Sequence, residues 1–308
     1  MILTLTLNPA VDLALSTDRI IYDDRAYIED EQLHPGGKGI NAAQVIHSYG
    51  GEAHAVAPYG GRNGDCFLLL LKAWPIGSTL INVAGETRRN LAITDRQGLT
   101  VKLDQPGAGL GAAELKALED AVAAQLPRAE WLLLTGSIGP NVDDEVYARL
   151  IQLAHKHNVP TLLDASGPPL RLGLAAKPSL AKPNRAEAER LLDRSLISQA
   201  ETAKAVREIR ALGAERVILS LGSQGAMAAW EEGVLRAMVP PVSSGCPIGA
   251  GDVLAASCAL ELSRGQTFPD AFRFAVAAAS VAASLPGLTF APLERARELT
   301  ERVELRPI

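Results

Sequence analysis

Ser244-Gly-Cys-Pro-Ile-Gly-Ala-Gly-Asp252 sets three small residues, Gly249, Ala250 and Gly251, directly before a carboxylate. An Ala-rich apolar run that reads as a helix follows it. Small residues let a backbone come close to a ligand, and the N–H groups of a helix start attract anions. Asp252 then has two readings. It caps the helix and satisfies those N–H groups, or it stands beside an anion cradle and takes a proton from a hydroxyl that attacks a phosphate. Caps are the commoner use of such a residue, and on this stretch alone both readings stand.

Other stretches carry chemistry of a matching kind. Gly36-Gly37-Lys38-Gly39, ahead of Asn41, has three glycines in four positions. It makes either a turn into a helix or a close approach to a ligand, with Lys38 as a point charge for an anionic group. It is not a P-loop, because no Gly stands five residues before Gly37 and Gly39 takes the place of the Ser or Thr that holds magnesium. Lys182-Pro-Asn184-Arg-Ala-Glu187 has the form of a capping box. The same amide and carboxylate, one turn apart, suit water around Mg²⁺ and phosphate oxygens. Ser220-Leu-Gly222-Ser-Gln-Gly225 ends a β-branched run with two glycines, as a plain turn or as a nucleotide-contacting loop. Arg88-Arg89 is an ordinary surface pair unless a ligand bearing phosphate lies beside it. Gly107-Ala-Gly-Leu-Gly-Ala112 nearly matches a dinucleotide fingerprint, but it follows a turn-like Asp104-Gln-Pro106 and reads as a loop into a helix. His34, His47, His54, His155 and His157 form no metal spacing with the cysteines, and no Gly-x-Ser-x-Gly elbow is present.

The elements that must position these groups alternate between strand and helix. Strands are predicted over 1–7, 53–57, 79–83, 131–135, 159–164, 179–182 and 216–220, with a turn at 8–12 and hairpins over 89–103 and 226–238. Helices are predicted after 41 through 49 and over 66–73, 115–126, 143–157, 186–192, 202–212, 251–262, 269–284 and 293–303. Repeated strand–helix–strand units imply a parallel sheet with helices on both faces. Segments near 12–35 and 88–105 alternate with one wet face and do not fit that sheet, so they are expected to form a small second sheet inserted in one domain, 1–308.

With 308 residues, 47% hydrophobic and 21% charged, the chain suits one large α/β domain. A net charge of −5 gives no nucleic-acid footprint and no basic membrane patch, so an anionic ligand must be met by local cations. Cys66, Cys246 and Cys258 are odd in number and lack C-x-x-C spacing, which points to reduced, mostly buried thiols in a cytoplasmic protein. The N-terminus has no basic region before its apolar residues, and no run of 18 apolar residues occurs, so no leader or membrane span is expected.

Taken in order, these blocks resemble the ribokinase-like (PfkB-type) sugar kinases. More narrowly they resemble the phosphosugar branch with 1-phosphofructokinase, tagatose-6-phosphate kinase and the minor bacterial 6-phosphofructokinase. The resemblance runs nearly end to end, through Thr6-Leu-Asn-Pro-Ala-Val-Asp12, Gly36-Gly-Lys-Gly-Ile-Asn41, Glu86-Thr-Arg-Arg-Asn90, Gly136-Ser137, Lys182-Pro-Asn-x-x-Glu187, Ser220-Leu-Gly222 and Gly249-Ala-Gly-Asp252. It implies a three-layer α/β sandwich with a mainly parallel sheet and a small β-sheet lid, use of ATP and Mg²⁺ with a monovalent cation, and homodimers formed through the lid. By the same resemblance Asp252 is the base, and Gly249, Ala250 and Gly251 form the anion hole. Asp12, Gly37, Asn41 and Asn90 belong to the sugar, and Lys38, Arg88 and Ser137 to the phosphate that the sugar already carries. Lys182, Asn184 and Glu187 serve the magnesium–phosphate end, and Ser220, Gly222 and Gly225 the nucleotide.

Gly-Gly-Lys-Gly is the form found in the 1-phosphofructokinase and tagatose-6-phosphate kinase members. The resemblance therefore implies phosphorylation of fructose 1-phosphate to fructose 1,6-bisphosphate, with tagatose 6-phosphate or fructose 6-phosphate as alternatives. A phosphosugar-binding regulator with a kinase fold is the alternative of another class. Three departures stand out. Cys246-Pro247-Ile248 replaces a stretch that commonly carries Thr, and Pro247 lacks both a hydroxyl and an N–H beside any monovalent-cation site. Gly136-Ser-Ile-Gly-Pro-Asn141 replaces the usual Gly-Ser-Leu-Pro-Pro-Gly, and Leu285-Pro-Gly287 lacks the Asn often found near the nucleotide.

Overall fold

β1 (Ile2–Leu5) sends Ile2 into one apolar core and Leu3 and Leu5 into another, the period-2 pattern of a strand covered on both faces. The computed structural model describes residues 1–240, 249–285 and 289–308. The chain then leaves the main sheet through β2 (Ala10–Thr17) and β3 (Ile28–Gly36) and returns as α1 (Lys38–Ser48), β4 (Ala53–Tyr59), α2 (Gly61–Leu71) and β5 (Gly77–Asn82). A second excursion, β6 (Arg88–Asp95) and β7 (Thr100–Asp104), leads to α3 (Ala112–Gln125), β8 (Trp131–Thr135), α4 (Val146–Lys156) and β9 (Thr161–Asp164). Next come α5 (Pro168–Ala175), β10 (Leu180–Ala181), α6 (Arg185–Leu192), α7 (Gln199–Ala211), β11 (Arg216–Ser220), β12 (Ala226–Trp230) and β13 (Gly233–Met238). α8 (Ala250–Ser263), α9 (Phe268–Ala283), α10 (Leu293–Thr300) and β14 (Glu304–Pro307) close the chain.

Ten strands form the main sheet in the order β14-β13-β12-β11-β10-β9-β8-β1-β4-β5. Pairing is parallel from β5 across to β11 and antiparallel from β11 to β14. Trp131 and Leu133 join the core that holds the buried faces of α1, α8 and α9, while Leu132 and Leu134 join the one that holds α3, α4 and α7. The result is the expected three layers. α8 is buried all round from Asp252 to Glu261, as befits a helix between α1 and α9 rather than at the surface.

The two wet-faced segments do form a second sheet, ordered β3-β2-β6-β7, in which β2 and β6 run parallel between two antiparallel hairpins. Its register sets Asp12 beside Asn90. The turn expected over 8–12 is shorter than that, because β2 already begins at Ala10, where it gains partners on both sides. Two elements were not expected. No element was expected over 168–175, yet proline fits the first turn of a helix, whose N–H groups have no intrahelical acceptor, and Pro168 and Pro169 start α5. β14 is a short, charged edge strand with no apolar period to announce it. Cys66 and Cys258 are free thiols, Cys258 being buried, and Cys246 lies outside the described residues. No helix among the described residues is long and apolar enough to cross a membrane.

Candidate active site

Parallel strands carry ligands at their carboxyl ends, and here the chain leaving those ends lines a cleft of about 1130 Å³ roofed by the small sheet. From the small sheet come Asp12, Arg88, Asn90, Lys102 and Asp104, and from the body Lys38, Asp164, Lys182, Ser220 and Asp252.

At one end, Asn90 donates an amide hydrogen bond to Asp12 Oδ1 at 2.8 Å. The Asn90 amide oxygen is buried without a partner, so an acceptor waits beside a carboxylate. Burial pushes Asp12 above the usual carboxylate range, against the hydrogen bond from Asn90 and the charge of Arg88. Arg88 is held by backbone: Nε donates to the Asn8 carbonyl at 3.2 Å and Nη1 to the Gln105 carbonyl at 2.9 Å. Asn8 in turn donates to Ser137 Oγ at 3.0 Å. Arg88 and Ser137 are thus joined through one residue that sequence reading passed over, although Ser137 itself does not line the cleft. Gly37 precedes α1 with φ +117°, and a Cβ there would lie 2.6 Å from the Thr6 methyl, so only glycine fits.

The centre is a buried charge cluster. Asp252 is 8% exposed and occupies the third position of α8, where its Oδ2 accepts from Asn41 Nδ2 at 2.8 Å. It does not cap the helix: Gly249 holds that place in a left-handed conformation, φ 78°, with no side-chain cap. The N–H groups of Ala250 and Gly251 head the helix, where no intrahelical acceptor exists. Burial pushes the Asp252 carboxyl up to about 6, against Lys38, with Asp164 adding to the rise. Lys38 Nζ contacts Asp164 Oδ1 at 2.9 Å and Glu187 Oε1 at 3.9 Å. Burial acts against its charge, but Asp164, Asp252 and Glu187 outweigh that and hold it above the ordinary lysine range. Asp164, 1% exposed, meets Lys182 Nζ at 3.1 Å through its other oxygen. Burial alone would raise Asp164, yet Lys182 and Lys38 hold it below the ordinary range. Sequence reading did not single out Asp164. The signal was present as an acid ending the otherwise apolar strand Thr161-Leu-Leu-Asp164, at the sheet edge where ligands bind.

At the far end Asn184 and Glu187 form the capping box that starts α6, each accepting from the other's backbone N–H, at 2.9 and 2.8 Å. Asn184 lines the cleft, Glu187 lies behind it, and Asn184 bridges to Ser220. Gly222, Gly225, Leu221, Ala226, Val276 and Ala279 add a mostly apolar wall. Among the described residues no group of three or more His, Cys, Asp or Glu could hold a metal directly. Asn184, on the cleft wall, instead suits Mg²⁺ that keeps its waters and arrives on phosphates, while the second Glu187 oxygen faces Lys38. The Cys246–Ile248 stretch, with the monovalent-cation site expected beside it, and Pro286-Gly287 lie outside the described residues.

Known proteins resemble this chain in sequence and fold. The pattern of the pfkB family carbohydrate kinases matches residues 5–295. ATP-dependent 6-phosphofructokinase isozyme 2 of Escherichia coli (strain K12) is 34% identical over 284 residues, 91% of this chain and 92% of that one. A 1-phosphofructokinase of Vibrio cholerae is 27% identical over 304 residues, 99% of this chain and 96% of that one. The crystal structure of phosphofructokinase-2 from Escherichia coli in complex with substrates and products matches with a TM-score of 0.91 at 33% identity, over 97% of this chain and 98% of that one.

Proposed function

The chain belongs to the PfkB family of carbohydrate kinases, and on that premise we propose that its cleft transfers the γ-phosphoryl group of ATP to a hydroxyl of a hexose phosphate. The observation that carries this reading is the Asp252 carboxylate, buried at the start of α8, oriented by Asn41 and pushed up to about 6. Such a group is ionised at neutral pH and still basic enough to accept a proton. Asp252 takes the proton as the sugar oxygen bonds to phosphorus, the bond to the ADP oxygen breaks, and ADP leaves. The N–H groups of Ala250 and Gly251, with Gly249 at the cap, face the charge that develops on the phosphoryl oxygens. Asp12, Gly37, Asn41 and Asn90 orient the sugar hydroxyls, and Arg88, tied through Asn8 to Ser137 behind it, meets the sugar's own phosphate. Ser220, Gly222 and Gly225 receive the nucleotide. Mg²⁺ would supply charge neutralisation at the nucleotide's phosphates, and Asn184 and Glu187 would order its waters.

The resemblance of Gly-Gly-Lys-Gly at 36–39 to the form in the 1-phosphofructokinase members supports fructose 1-phosphate as the first acceptor. Fructose 6-phosphate is the second reading. It is supported by the 34% identity to a 6-phosphofructokinase and by Lys38, whose ammonium is turned to Asp164. Either acceptor gives fructose 1,6-bisphosphate. Residues 1–308 then form one kinase domain with lid segments near 12–35 and 88–105. A second copy would cover the lid's exposed apolar side chains Tyr22, Tyr27 and Ile28. The test is a turnover panel of fructose 1-phosphate, fructose 6-phosphate, tagatose 6-phosphate, fructose and ribose, each with ATP and Mg²⁺. Turnover of a hexose phosphate well above the free sugars is expected. Turnover confined to the free sugars, or none with binding retained, overturns the reading.

A further inference from the structure

We propose, resting on the kinase reading above, that Asp164 is a positioning residue: it brackets the ammonium groups of Lys38 and Lys182 and presents both to the phosphoryl group in transit, not to the phosphate the sugar already carries. Each Asp164 oxygen takes one ammonium, Lys38 at 2.9 Å and Lys182 at 3.1 Å. Lys182 Nζ lies 3.6 Å from where a Cβ on Gly251 would stand, so that charge sits against the first turn of α8, beside Asp252. Lys38 passes Gly136, whose Cβ would lie 3.7 Å from the Lys38 Cβ, and then runs on to Asp164 and Glu187. Ser137, the next residue, is tied the other way, through Asn8 to Arg88. Arg88 on one side, and Lys38 with Lys182 on the other, therefore belong to separate groups.

The charges facing Asp252 explain why a bracket is needed. Lys38 and Asn41 approach from α1, Asp164 from the end of β9, Lys182 from the residue after β10, and Glu187 faces Lys38 from α6. Tyr147, from α4, donates to the Thr135 and Gly136 carbonyls at 3.2 and 3.1 Å beneath the cluster. Without Asp164, two ammonium groups would be left with Asp252 and Glu187 as partners. An ion pair with Asp252 would hold the base in a weakly basic form. With Asp164 in place both ammonium groups are pre-set, and an incoming phosphoryl group meets them without reorganisation. Asp164 itself exchanges no proton.

Steady-state kinetics of the wild type, Asp164→Asn, Lys38→Gln and Arg88→Ala test this, with ATP and the phosphosugar turned over best. Asp164→Asn should lower kcat by about 10- to 100-fold, the usual loss for a group one layer behind the reacting atoms, with the phosphosugar KM little changed. Its acid limb should move to lower pH, since the negative charge that adds to burial in raising Asp252 is gone. Lys38→Gln should likewise lower kcat, whereas Arg88→Ala should chiefly raise the phosphosugar KM. A Lys38→Gln enzyme with raised phosphosugar KM and unchanged kcat overturns the proposal, and so does an Asp164→Asn enzyme with wild-type kcat and acid limb. Should circular dichroism show Asp164→Asn unfolded, the kcat-against-KM split of Lys38→Gln and Lys182→Gln decides alone. Absence of any wild-type phosphosugar turnover overturns the kinase reading and this proposal together; wild-type turnover with the variants' kcat-against-KM split absent overturns only the latter.

Discussion

Asp252 shows how one side chain's role depends on contacts that local sequence does not display. By position it sits within the first turn of α8, and its partner Asn41 is 211 residues away. Desolvation dominates its pKa, so the pH dependence has a definite sign. The base works when deprotonated, and kcat/KM should climb with pH through about 6 and level off above it. A profile flat down to about pH 4, where an ordinary carboxylate titrates, would contradict the assignment. Asp252→Asn should cut kcat by about 10²- to 10⁴-fold, the span for a lost general base. Phosphosugar binding, read by calorimetry, should stay close to wild type. Capping is the commoner use of such a residue; the ordered family resemblance already favoured the base, and the fold adds a glycine at the cap and a distant amide on the carboxylate.

Helices and turns were more legible, because their signals lie within a few residues. The Asn184–Glu187 box, written three positions apart, forms as the spacing implies. The same pairing leaves Asn184 on the cleft wall, where the proposed magnesium–phosphate end would lie. α5 was missed because two prolines ordinarily break helices, while at a helix start they cost nothing. The turn after β11 was legible as a turn, yet its reason was not. Gly225 has φ +81°, and a Cβ there would strike the Ala237 carbonyl on β13. Gly225→Ala should therefore cost about 1–3 kcal/mol of stability, seen as a lower Tm, and raise the KM for ATP more than that for the phosphosugar. An unchanged Tm together with an unchanged KM for ATP would remove the turn from the nucleotide site.

At the scale of the molecule, the lid joins two properties. Its inner face closes the cleft with Asp12, Arg88 and Asn90, and its outer side leaves Tyr22 and Tyr27 85% and 77% exposed. If a second copy covers that side, Tyr27→Glu with Ile28→Glu should turn a dimer into a monomer by sedimentation, and a wild type that is monomeric at micromolar concentration rules the dimer out. The alternation of short apolar strands with amphipathic helices determined the layered sheet, the wet-faced segments determined the lid, and the order of the glycine-bearing blocks determined the family, because each of these signals is local or sequential. Which charges meet was decided only by the tertiary structure. Lys38 joins Asp164 across 126 residues, while Ser137 and Arg88 are gathered by Asn8. A lysine's spacing in the chain places its Cα, but a long flexible side chain ends wherever buried carboxylates stabilise its charge.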